Sequence, residues 1–545
     1  MACCLPTSLG LLAAPLLQGP LFEDVSERWL PGVRTTCGGA ATKESILEIN
    51  GGGLVVEDFD GDGRPDLVVV DGSTLERAEE GEPGFPPRLF LGRAGGGFEP
   101  AGESWAMAGG RWGMGGCAGD VNGDGWPDLL VTEWGPDRLF VNEGGAGFVE
   151  ATGGSGLVGD RWGTSAAFGD FDGDGHLDLV VVNYLDFDLS RSPRRDSGCT
   201  WKGHEVLCGP EGSEAGADRL YRGRGDGTFE EVSAAWGLVP RRAAFGLGVV
   251  TLDYDLDGDL DLYVSNDSTP NHLWENDGEG AFAEVGFRRG VGHDANGKEQ
   301  AGMGIACGDV NGDLRPDLVV TNFSGEHNAF YRSSAGLGFR ERSHAAGLGG
   351  PSQALLGWGT GLFDFDHDGE VDLFVLNGHV YPEADRPGTD TAYAQPDLLF
   401  RGTAGSFVPE PLWAGEPAVS RAGVAADLDG DGDLDLVSIE LDGRVRVLRN
   451  RLSGGGHWLR VHLRGAGANT FAVGARVTAA CGDRRFTSEV RTGAGFQVGG
   501  PAEVHLGLGT AERIDRLEVR WPSGRVQLVD AVAVDRVLTV GEEER

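Results

Sequence analysis

The chain carries seven copies of an acidic pattern with carboxylate or carboxamide side chains at positions 1, 3, 5 and 9. Four side-chain oxygens in one short loop suit a hard cation such as Ca²⁺, which takes its ligands from carboxylates, amides and backbone carbonyls. We expect each copy to bind one ion, up to seven in all, with the backbone carbonyl of position 7 as a further ligand. The predicted side-chain ligands, copy by copy, are Asp58, Asp60, Asp62 and Asp66; Asp120, Asn122, Asp124 and Asp128; Asp170, Asp172, Asp174 and Asp178; Asp253, Asp255, Asp257 and Asp261; Asp309, Asn311, Asp313 and Asp317; Asp364, Asp366, Asp368 and Asp372; and Asp427, Asp429, Asp431 and Asp435.

These loops differ from the EF-hand, which needs a carboxylate at position 12 and two flanking helices. Position 12 of the first copy is Val69, and an apolar, β-branched run such as Leu67–Val70 follows the loops. Such runs indicate strands, so each loop is predicted to be the turn of a β-hairpin. Position 6 is Gly in six copies, which allows a sharp turn. The fifth copy has Leu314 there, and we expect its site to bind most weakly.

The elements around the loops repeat with them. Successive first Asp residues lie between 50 and 83 residues apart, a spacing that suits a four-stranded unit with loops. Small residues precede each first Asp by seven and five positions, as in Gly51 and Gly53, and indicate a crowded inner strand. A third strand such as Arg88–Leu91 follows the hairpin, and a Phe such as Phe98 opens a fourth. Each repeat therefore predicts one four-stranded sheet.

The ends of the repeat region predict how it closes. No Phe-containing strand follows the third strand of the seventh repeat, whereas the segment Leu21–Ser26, which precedes the first repeat, resembles the fourth strand Thr228–Ser233. Pairing that segment with the last repeat would leave no free edge. We predict an all-β protein: residues 20–452 form a seven-bladed β-propeller closed by the N-terminal strand. A linker at Ser453–Gly456 leads to a small β domain over residues 457–545, with alternating apolar residues at 473–477 and a hairpin turn at Trp521–Gly524.

Charge and hydropathy limit the cellular locations and the classes of partner that are expected for this protein. The formal net charge of −40 argues against nucleic acid as a partner. No apolar run reaches 18 residues, so no transmembrane segment is predicted. Residues 1–19 are interpreted as a signal or targeting segment, although no Lys or Arg precedes the apolar stretch Leu9–Leu17. Met1–Cys4 also fits the tail of a lipoprotein signal. The expected location is secreted, periplasmic or on the cell surface.

Cysteine spacing predicts one disulfide. Cys199 and Cys208 flank eight residues inside a long insertion, where a cross-link would hold an irregular loop. Cys117 and Cys307 occupy the same place in two repeats, and we expect both to be reduced and buried. The pairing of Cys37 and Cys481 is left open.

The chain resembles proteins that combine FG-GAP/VCBS propeller repeats with a C-terminal ASPIC/UnbV domain, the cartilage acidic protein family. Besides the loops, the resemblance rests on the segments Gly225–Ser233, Val182–Tyr184, Asn377–Pro382, Ala472–Val477, His505–Gly509 and Trp521–Gly524. It implies a calcium-stabilised, integrin-like propeller that is secreted or surface-exposed, with a small β domain behind it. It supplies no ligand.

Three functions are weighed. The leading hypothesis is an extracytoplasmic calcium-binding interaction or adhesion protein, not an enzyme, whose Ca²⁺ is structural. The alternative is a carbohydrate-active hydrolase or lyase on a propeller scaffold, which would need an acidic pair outside the loops that converges in a pocket. The third is integrin binding through Arg224–Asp226, which we interpret as ordinary turn chemistry. No Gly-x-Ser-x-Gly is present, and His204–Cys208 lacks the second His of a zinc-protease motif.

A ring of polar residues predicts a ligand face. Thirteen positions after the first Asp, at the end of the second strand, every repeat carries an acid or an amide: Asp71, Glu133, Asn183, Asn266, Asn322, Asn377 and Glu440. These should lie opposite the calcium loops, beside a basic patch that includes Arg194, Arg195 and Lys202. A protein or glycan partner is expected on this face, with an anionic character suggested by the patch. The alternative is that the ring only hydrogen-bonds loop backbones.

Overall fold

The structure is a computed structural model that describes residues 21–39, 42–411, 415–452 and 455–543. The predicted targeting segment 1–19 lies outside these residues. Strands make up 41% of the structure and helices 6%, so the all-β prediction is confirmed. Among the described residues no helix is long and apolar enough to cross a membrane.

The residues between Phe22 and Asn450, which we call the repeat body, contain seven four-stranded antiparallel units and a separate two-stranded hairpin. The second and third units join in one eight-stranded sheet. We refer to each four-stranded unit, with its strands, as a sheet. Their bounds in chain order are β1 (Phe22–Asp24); β2 (Gly53–Glu57), β3 (Asp66–Val70), β4 (Arg88–Gly92) and β5 (Phe98–Pro100); β6 (Gly113–Gly119), β7 (Asp128–Gly135), β8 (Arg138–Asn142) and β9 (Phe148–Glu150); β10 (Arg161–Gly169), β11 (Asp178–Asn183), β12 (Thr200–Trp201), β13 (His204–Glu205), β14 (Arg219–Gly223) and β15 (Phe229–Glu231); β16 (Gly246–Leu252), β17 (Asp261–Asn266), β18 (His272–Asn276) and β19 (Phe282–Glu284); β20 (Ile305–Gly308), β21 (Asp317–Val320), β22 (Ala329–Ser334) and β23 (Gly338–Glu341); β24 (Gly357–Phe363), β25 (Asp372–Asn377), β26 (Leu398–Gly402) and β27 (Phe407–Glu410); β28 (Ser420–Ala426), β29 (Asp435–Glu440) and β30 (Val445–Asn450).

Each sheet is one sequence repeat. Its first two strands pair as a hairpin whose turn is the acidic loop, as β2 and β3 do from Glu57↔Asp66 to Gly53↔Val70. The second strand of a sheet is buried throughout because sheets pack on both of its faces, which explains the continuous apolar run in β3. The Phe that opens the fourth strand is buried too; Phe148 packs edge-on against Phe59 and Trp105. A short pairing of β7 with β10 joins the second and third sheets.

The N-terminal strand belongs to the last sheet. β1 pairs antiparallel with β30, with Phe22 opposite Asn450. The order in that sheet is β1-β30-β29-β28. The chain start therefore supplies the fourth strand that the seventh repeat lacks.

Helices are few and short. The α-helices are α1 (Ser26–Trp29), α2 (Leu75–Glu80), α3 (Gly286–Arg289) and α4 (Gly349–Ser352), and single 3₁₀ turns lie at Ile46–Glu48, Glu103–Trp105, Thr152–Gly154 and Pro382–Asp385. α2 begins after Thr74, whose side chain accepts from the N–H of Arg77, and ends at Gly81 with φ +72°.

The remaining strands form what we call the C-terminal unit, with its own apolar core around Leu459, Val477 and Trp521. They are β31 (His457–Arg464), β32 (Arg476–Cys481), β33 (Arg484–Glu489), β34 (Gly495–Phe496), β35 (Val498–Gly499), β36 (Val504–Gly509), β37 (Arg513–Arg520), β38 (Val526–Ala533) and β39 (Arg536–Gly541). Two sheets, β36-β31-β39 and β33-β32-β37-β38, enclose that core. The turn at Trp521–Gly524 is present, with Trp521 N–H donating to Arg525. The alternating residues 473–475 precede β32, whose bounds start at Arg476.

One hairpin of the C-terminal unit enters the repeat body, which the sequence did not predict. β34 pairs with the inner strand β16, and β35 pairs in parallel with β2. Phe496 is buried among Trp112, Trp162 and Trp358 of three inner strands. A Cβ on Gly53 would lie 2.4 Å from the Gln497 carbonyl, and one on Gly115 would lie 2.7 Å from the Gln497 Cα. The small residues of these two inner strands therefore make room for the hairpin as well as for their neighbours.

Candidate functional site

The seven acidic loops share one backbone conformation. Position 6 is left-handed in all of them, with φ between +67° and +106°. Position 4 is left-handed too, with φ between +56° and +77°, a requirement that the sequence analysis missed. Gly fills most of these places, but Leu314 holds position 6 of the fifth loop, and Leu256 and His367 hold position 4 of two others. These three residues adopt a conformation that costs a residue with a Cβ about 1–2 kcal/mol.

Side-chain to backbone hydrogen bonds impose that conformation. In every loop a position 1 carboxylate accepts from the position 6 N–H at 2.7–3.1 Å. The position 5 carboxylate accepts from the position 7 N–H at 2.8–3.1 Å. Asp and Asn are the residues that form such local turns. The loops are thus folded by the same side chains that are predicted to bind the metal.

Position 9 ties each loop to the third strand of its sheet. Its carboxylate accepts from the position 2 N–H and from an N–H at the end of the third strand, at 2.7–3.2 Å. All seven of these Asp residues are buried. Position 9 therefore has a structural role whether or not it also contacts an ion.

The carboxylates converge in five loops. Each of these loops brings three carboxylate oxygens within 4.8 Å of one another. The groups are Asp58, Asp60 and Asp62; Asp170, Asp172 and Asp178; Asp253, Asp255 and Asp261; Asp364, Asp366 and Asp372; and Asp427, Asp429 and Asp431. The second and fifth loops carry Asn122 and Asn311 at position 3, which leaves them one carboxylate fewer.

Two observations fit a cation in these loops. The buried Oδ1 atoms of Asp170, Asp253 and Asp364 have no hydrogen-bond partner in the described structure. Such an atom is costly to bury unless something outside the chain satisfies it. Burial first, and then neighbouring loop carboxylates, raises the pKa of Asp178, Asp372 and Asp435 to about 8. A bound divalent cation would offset both costs.

Arginines from the third strands also reach the loops, a feature that the sequence analysis missed. Arg222 Nε lies 2.7 Å from Asp172 and its Nη2 lies 2.8 Å from Asp174. Arg401 pairs with Asp366, and Arg449 pairs with Asp429 and Asp431. In these three loops part of the carboxylate charge is therefore already balanced by the chain itself.

The C-terminal unit lies over the loop side of the repeat body and contacts all seven repeats there. Thr470 donates to Asp120 and Arg460 donates to Asp427, both of which occupy position 1 of a loop. The other five repeats also contact the C-terminal unit. Glu57 accepts from the Ala502 N–H, and the Gly175 carbonyl accepts from the Asn469 N–H. Leu260 packs against Gly474, and the carbonyls of Leu314 and Gly369 accept from Arg476 and Arg484 respectively. The C-terminal unit thus covers part of the loop side, while loop-tip residues such as Asp62, Asp124 and Asp257 stay exposed.

The insertion after β11 is held by the disulfide Cys199–Cys208, whose Cα atoms are 5.3 Å apart. Cys37 and Cys117 are free and buried, and Cys481 is free and half-buried. Cys307 was expected to be buried but is partly exposed. It lines a cavity of about 360 Å³ between the fifth and sixth loops and the C-terminal unit.

The side chains of the predicted polar ring are mostly buried in the protein and do not form an exposed surface. Six of its seven members are buried and Glu440 is half-buried. Asn183, Asn266, Asn322 and Asn377 donate to carbonyls of their own loops, as Asn266 does to Pro270 at 2.7 Å. Asp71, Glu133 and Glu440 pair with Arg88, Arg138 and Arg446. These are the contacts that the hydrogen-bonding alternative describes.

The predicted basic patch is engaged within the chain. Arg194 pairs with Glu79, Arg195 pairs with Glu383, and Lys202 donates to the Thr389 carbonyl. These contacts fasten the insertion across the face opposite the loops. Arg224 pairs with Glu230, and Asp226 accepts from Thr228 within its own turn.

A cavity of about 430 Å³ lies on that face, where residues of the inner strands such as Leu247 and Trp358 meet the insertions. We call it the channel-mouth cavity. Segment 46–50, the disulfide loop, and the loops that follow β17, β21 and β25 form its walls. Asp267, Glu211 and Glu326 line it, and the sequence analysis identified none of them. They lie in irregular loops outside the repeated pattern, so no spacing connects them.

Comparison with known proteins places the chain in a family. The model described as FG-GAP-like repeat matches residues 58–131, 120–181, 204–264 and 253–320, and the model described as ASPIC and UnbV matches residues 465–545. Together they cover more than half of the chain.

Relatives agree with these matches. Cartilage acidic protein 1 of Xenopus tropicalis is 28% identical over 276 residues, which are 49% of this chain and 40% of that protein. The Homo sapiens protein is also 28% identical over 49% of this chain and 39% of its own length, so the match spans about two fifths of these relatives. Among solved structures, the BP39L lectin from Burkholderia pseudomallei aligns over 75% of this chain and 98% of its own, with 13% identity and a TM-score of 0.45. The chain belongs to the family that joins FG-GAP-like repeats to an ASPIC and UnbV domain, and it is homologous to cartilage acidic protein 1.

Proposed function

We propose that the seven sheets close into a seven-bladed β-propeller over residues 20–452, followed by an ASPIC/UnbV domain over residues 457–545. Two contacts support closure. β1 completes the sheet of the seventh repeat, and the inner strand β28 of that sheet lies against β2 of the first. A closed ring leaves no sheet edge exposed to other chains.

We propose that the seven loops bind Ca²⁺ through positions 1, 3, 5 and 9 and the carbonyl of position 7. The observation that carries this proposal is the convergence of three carboxylates within 4.8 Å in five loops, together with the unpartnered Oδ1 atoms. When bound, Ca²⁺ would neutralise the mutual repulsion of these carboxylates. The loop side chains hold the turn and present oxygens, which is a structural role with no chemical step.

We infer that the protein is an extracytoplasmic interaction or adhesion protein. The disulfide supports an oxidising compartment. The C-terminal unit occupies part of the loop side, which favours the opposite face, with the channel-mouth cavity, as the surface for a protein or glycan partner. The acidic composition supports a partner other than nucleic acid.

The hydrolase or lyase alternative has one observation in its favour. Asp267, Glu211 and Glu326 line one cavity, and two carboxylates flanking a bond are what glycoside hydrolysis requires. Against it, Glu326 already accepts from the Ala301 N–H and pairs with Lys298, and Asp267 accepts from Tyr184 and Ser268. We therefore favour binding without catalysis.

An array of glycans and secreted proteins tests the proposal. The full chain is applied in millimolar Ca²⁺ and again after chelation. We expect a ligand class that is retained in Ca²⁺ and lost on chelation. Binding that is unaffected by chelation would contradict a calcium-dependent interaction role. Products released from array glycans would favour the enzymatic alternative.

A further inference from the structure

The channel-mouth cavity has the composition of a ligand site. Trp201, Phe323 and Tyr381 form one aromatic wall, with ring centroids 5.6 Å apart between Trp201 and Tyr381 and 6.2 Å apart between Phe323 and Tyr381. Trp201 and Phe323 are only half-buried, so the wall is open to an occupant. A concave site with apolar walls and a few convergent polar groups is the usual form of a small-ligand pocket.

Its polar groups disfavour anions. The lining contains Asp267, Glu211 and Glu326 but no Lys, Arg or His side chain among the described residues. Carboxylates at short range repel a phosphate, a sulfate or an acidic sugar. The anionic partner suggested by the basic patch therefore does not suit this cavity.

The cavity also holds an unsatisfied amide. Asn50 lines the wall and is 1% exposed, yet its Nδ2 has no hydrogen-bond partner in the described part of the chain. An unpaired buried donor costs about 1–3 kcal/mol unless an acceptor is supplied. An ammonium ion brings donors only, so it would satisfy the carboxylates and leave Asn50 unpaired.

A neutral sugar satisfies all of these groups at once. Its hydroxyls both donate and accept, so they match the carboxylates and the amide together. Its C–H faces can lie on the aromatic wall, and a volume of about 430 Å³ is within the range of small-ligand pockets.

The cavity is built by parts of the chain outside the repeats. The disulfide loop contributes Trp201, and the segment before the first repeat contributes Asn50. Beneath them, Trp358 lines the cavity and packs against Phe496 of the inserted hairpin at 5.0 Å between ring centroids. The floor therefore belongs to a buried apolar cluster, and the walls are fastened by covalent and ionic contacts.

We propose that the channel-mouth cavity binds a short neutral saccharide. This proposal rests on the proposed interaction role and names the ligand class and the site. Asp267 and Glu211 accept from sugar hydroxyls, Asn50 donates to one, and Trp201 and Phe323 stack on the sugar faces.

Saturation-transfer NMR on the full chain in Ca²⁺ tests it. The probes are methyl glycosides of glucose, galactose, mannose, xylose, fucose and N-acetylglucosamine with their common disaccharides, together with glucuronate and methylammonium as charged probes. We expect at least one neutral probe to bind, and both charged probes to be inactive. Trp201→Ala and Asp267→Asn should each weaken that binding by about tenfold or more. The matched control is Phe287→Ala, which removes an aromatic ring 78% exposed and outside the cavity and should change nothing.

Three outcomes overturn the proposal: no neutral probe binds, only a charged probe binds, or binding persists in both cavity variants. The pair of variants matters because Trp201→Ala alters the insertion, whereas Asp267→Asn keeps its shape. Thermal unfolding of the same samples with and without chelator separates the two claims. If the unfolding temperature depends on calcium but no sugar binds, only the saccharide site is contradicted. If a sugar binds but the unfolding temperature does not depend on calcium, only the structural role of calcium is contradicted.

Discussion

Two residues of each acidic loop, at positions 4 and 6, adopt the left-handed backbone conformation, which costs free energy when the residue is not Gly. Gly at position 6 adopts the positive φ that the loop requires without strain, whereas Leu314 at φ +67° is strained. The sequence identified this position as the exception, because six Gly residues defined the rule. It did not identify position 4, because only five copies carry Gly there and Leu256 and His367 in the other two interrupt the pattern, although both take the same conformation.

A reciprocal pair of substitutions tests whether the positive φ at position 6 strains a residue other than Gly. Leu314→Gly should raise the free energy of unfolding by about 1 kcal/mol and tighten calcium binding by its loop. Gly175→Leu should lower the free energy by a similar amount, since a Cβ there meets no atom within 4 Å and only the backbone conformation is at stake. Denaturant unfolding in Ca²⁺ measures both. Equal effects of the same sign would show that backbone strain does not govern these loops.

The buried position 9 carboxylates make the calcium effect depend on pH. In the metal-free loops burial raises the pKa of Asp66 and Asp317 to about 7 and that of Asp178 to about 8, far above the unfolded value of about 4. Each such group retains a proton that the unfolded chain has lost. It therefore costs little stability at pH 4, and its full penalty is reached as pH rises through 7–8.

Metal binding requires the ionised form, so Ca²⁺ must displace these protons at low pH. We expect the rise in melting temperature caused by Ca²⁺, relative to chelator, to be larger at pH 8 than at pH 6. Calorimetry at the two pH values checks this. A calcium effect that is equal or greater at pH 6 would show that these carboxylates do not take part in binding.

At the scale of elements, the strands of the repeats could be predicted from the sequence, whereas the hairpin that the C-terminal unit inserts could not. The strands of each repeat were predictable because an acidic turn, an apolar run and a Phe recur in fixed order. The inserted hairpin was not, because its segment Thr492–Gly500 is rich in Gly and lacks either strand or helix periodicity. The ring residues lie at or within two residues of the ends of the second strands, but the sequence alone leaves open whether solvent or loop carbonyls are their partners.

Thiol reactivity tests the packing of the elements. Cys199 and Cys208 should resist alkylation until the disulfide is reduced. Cys37 and Cys117 should resist until the protein unfolds, since both are buried and burial raises the pKa of Cys37 to about 12. Among the described residues, the partly exposed thiols of Cys307 and Cys481 serve as internal controls and should react before those of Cys37 and Cys117. Peptide mapping after iodoacetamide treatment at pH 8 gives the order, and early labelling of Cys117 or Cys199 would contradict it.

On the scale of the whole molecule, the inserted hairpin of the C-terminal unit joins the core of the repeat body. That hairpin pairs with β2 and β16, and the surface of the C-terminal unit contacts every repeat on the loop side. The sequence suggested two bodies and a linker, because contacts between distant segments leave no local pattern. The two units should consequently unfold together.

Phe496→Ala tests that coupling. Phe496 is 1% exposed and packs against Trp358, so its loss should cost about 3–5 kcal/mol. The exposed control Phe287→Ala should cost less than about 0.5 kcal/mol. Calorimetry should show one transition that shifts to lower temperature. A low-temperature transition of the C-terminal unit alone, with the main transition unmoved, would mean that the hairpin does not join the two cores.

The central claim is that Ca²⁺ completes the seven loops and stabilises the fold. Differential scanning calorimetry of the full chain at pH 8, in millimolar Ca²⁺ and after chelation, tests it most directly. We predict a melting temperature that falls strongly on chelation. Asp170→Ala with Asp172→Ala should cause only a fraction of that fall, since one of seven loops is lost. An identical melting temperature with and without chelator would contradict the account.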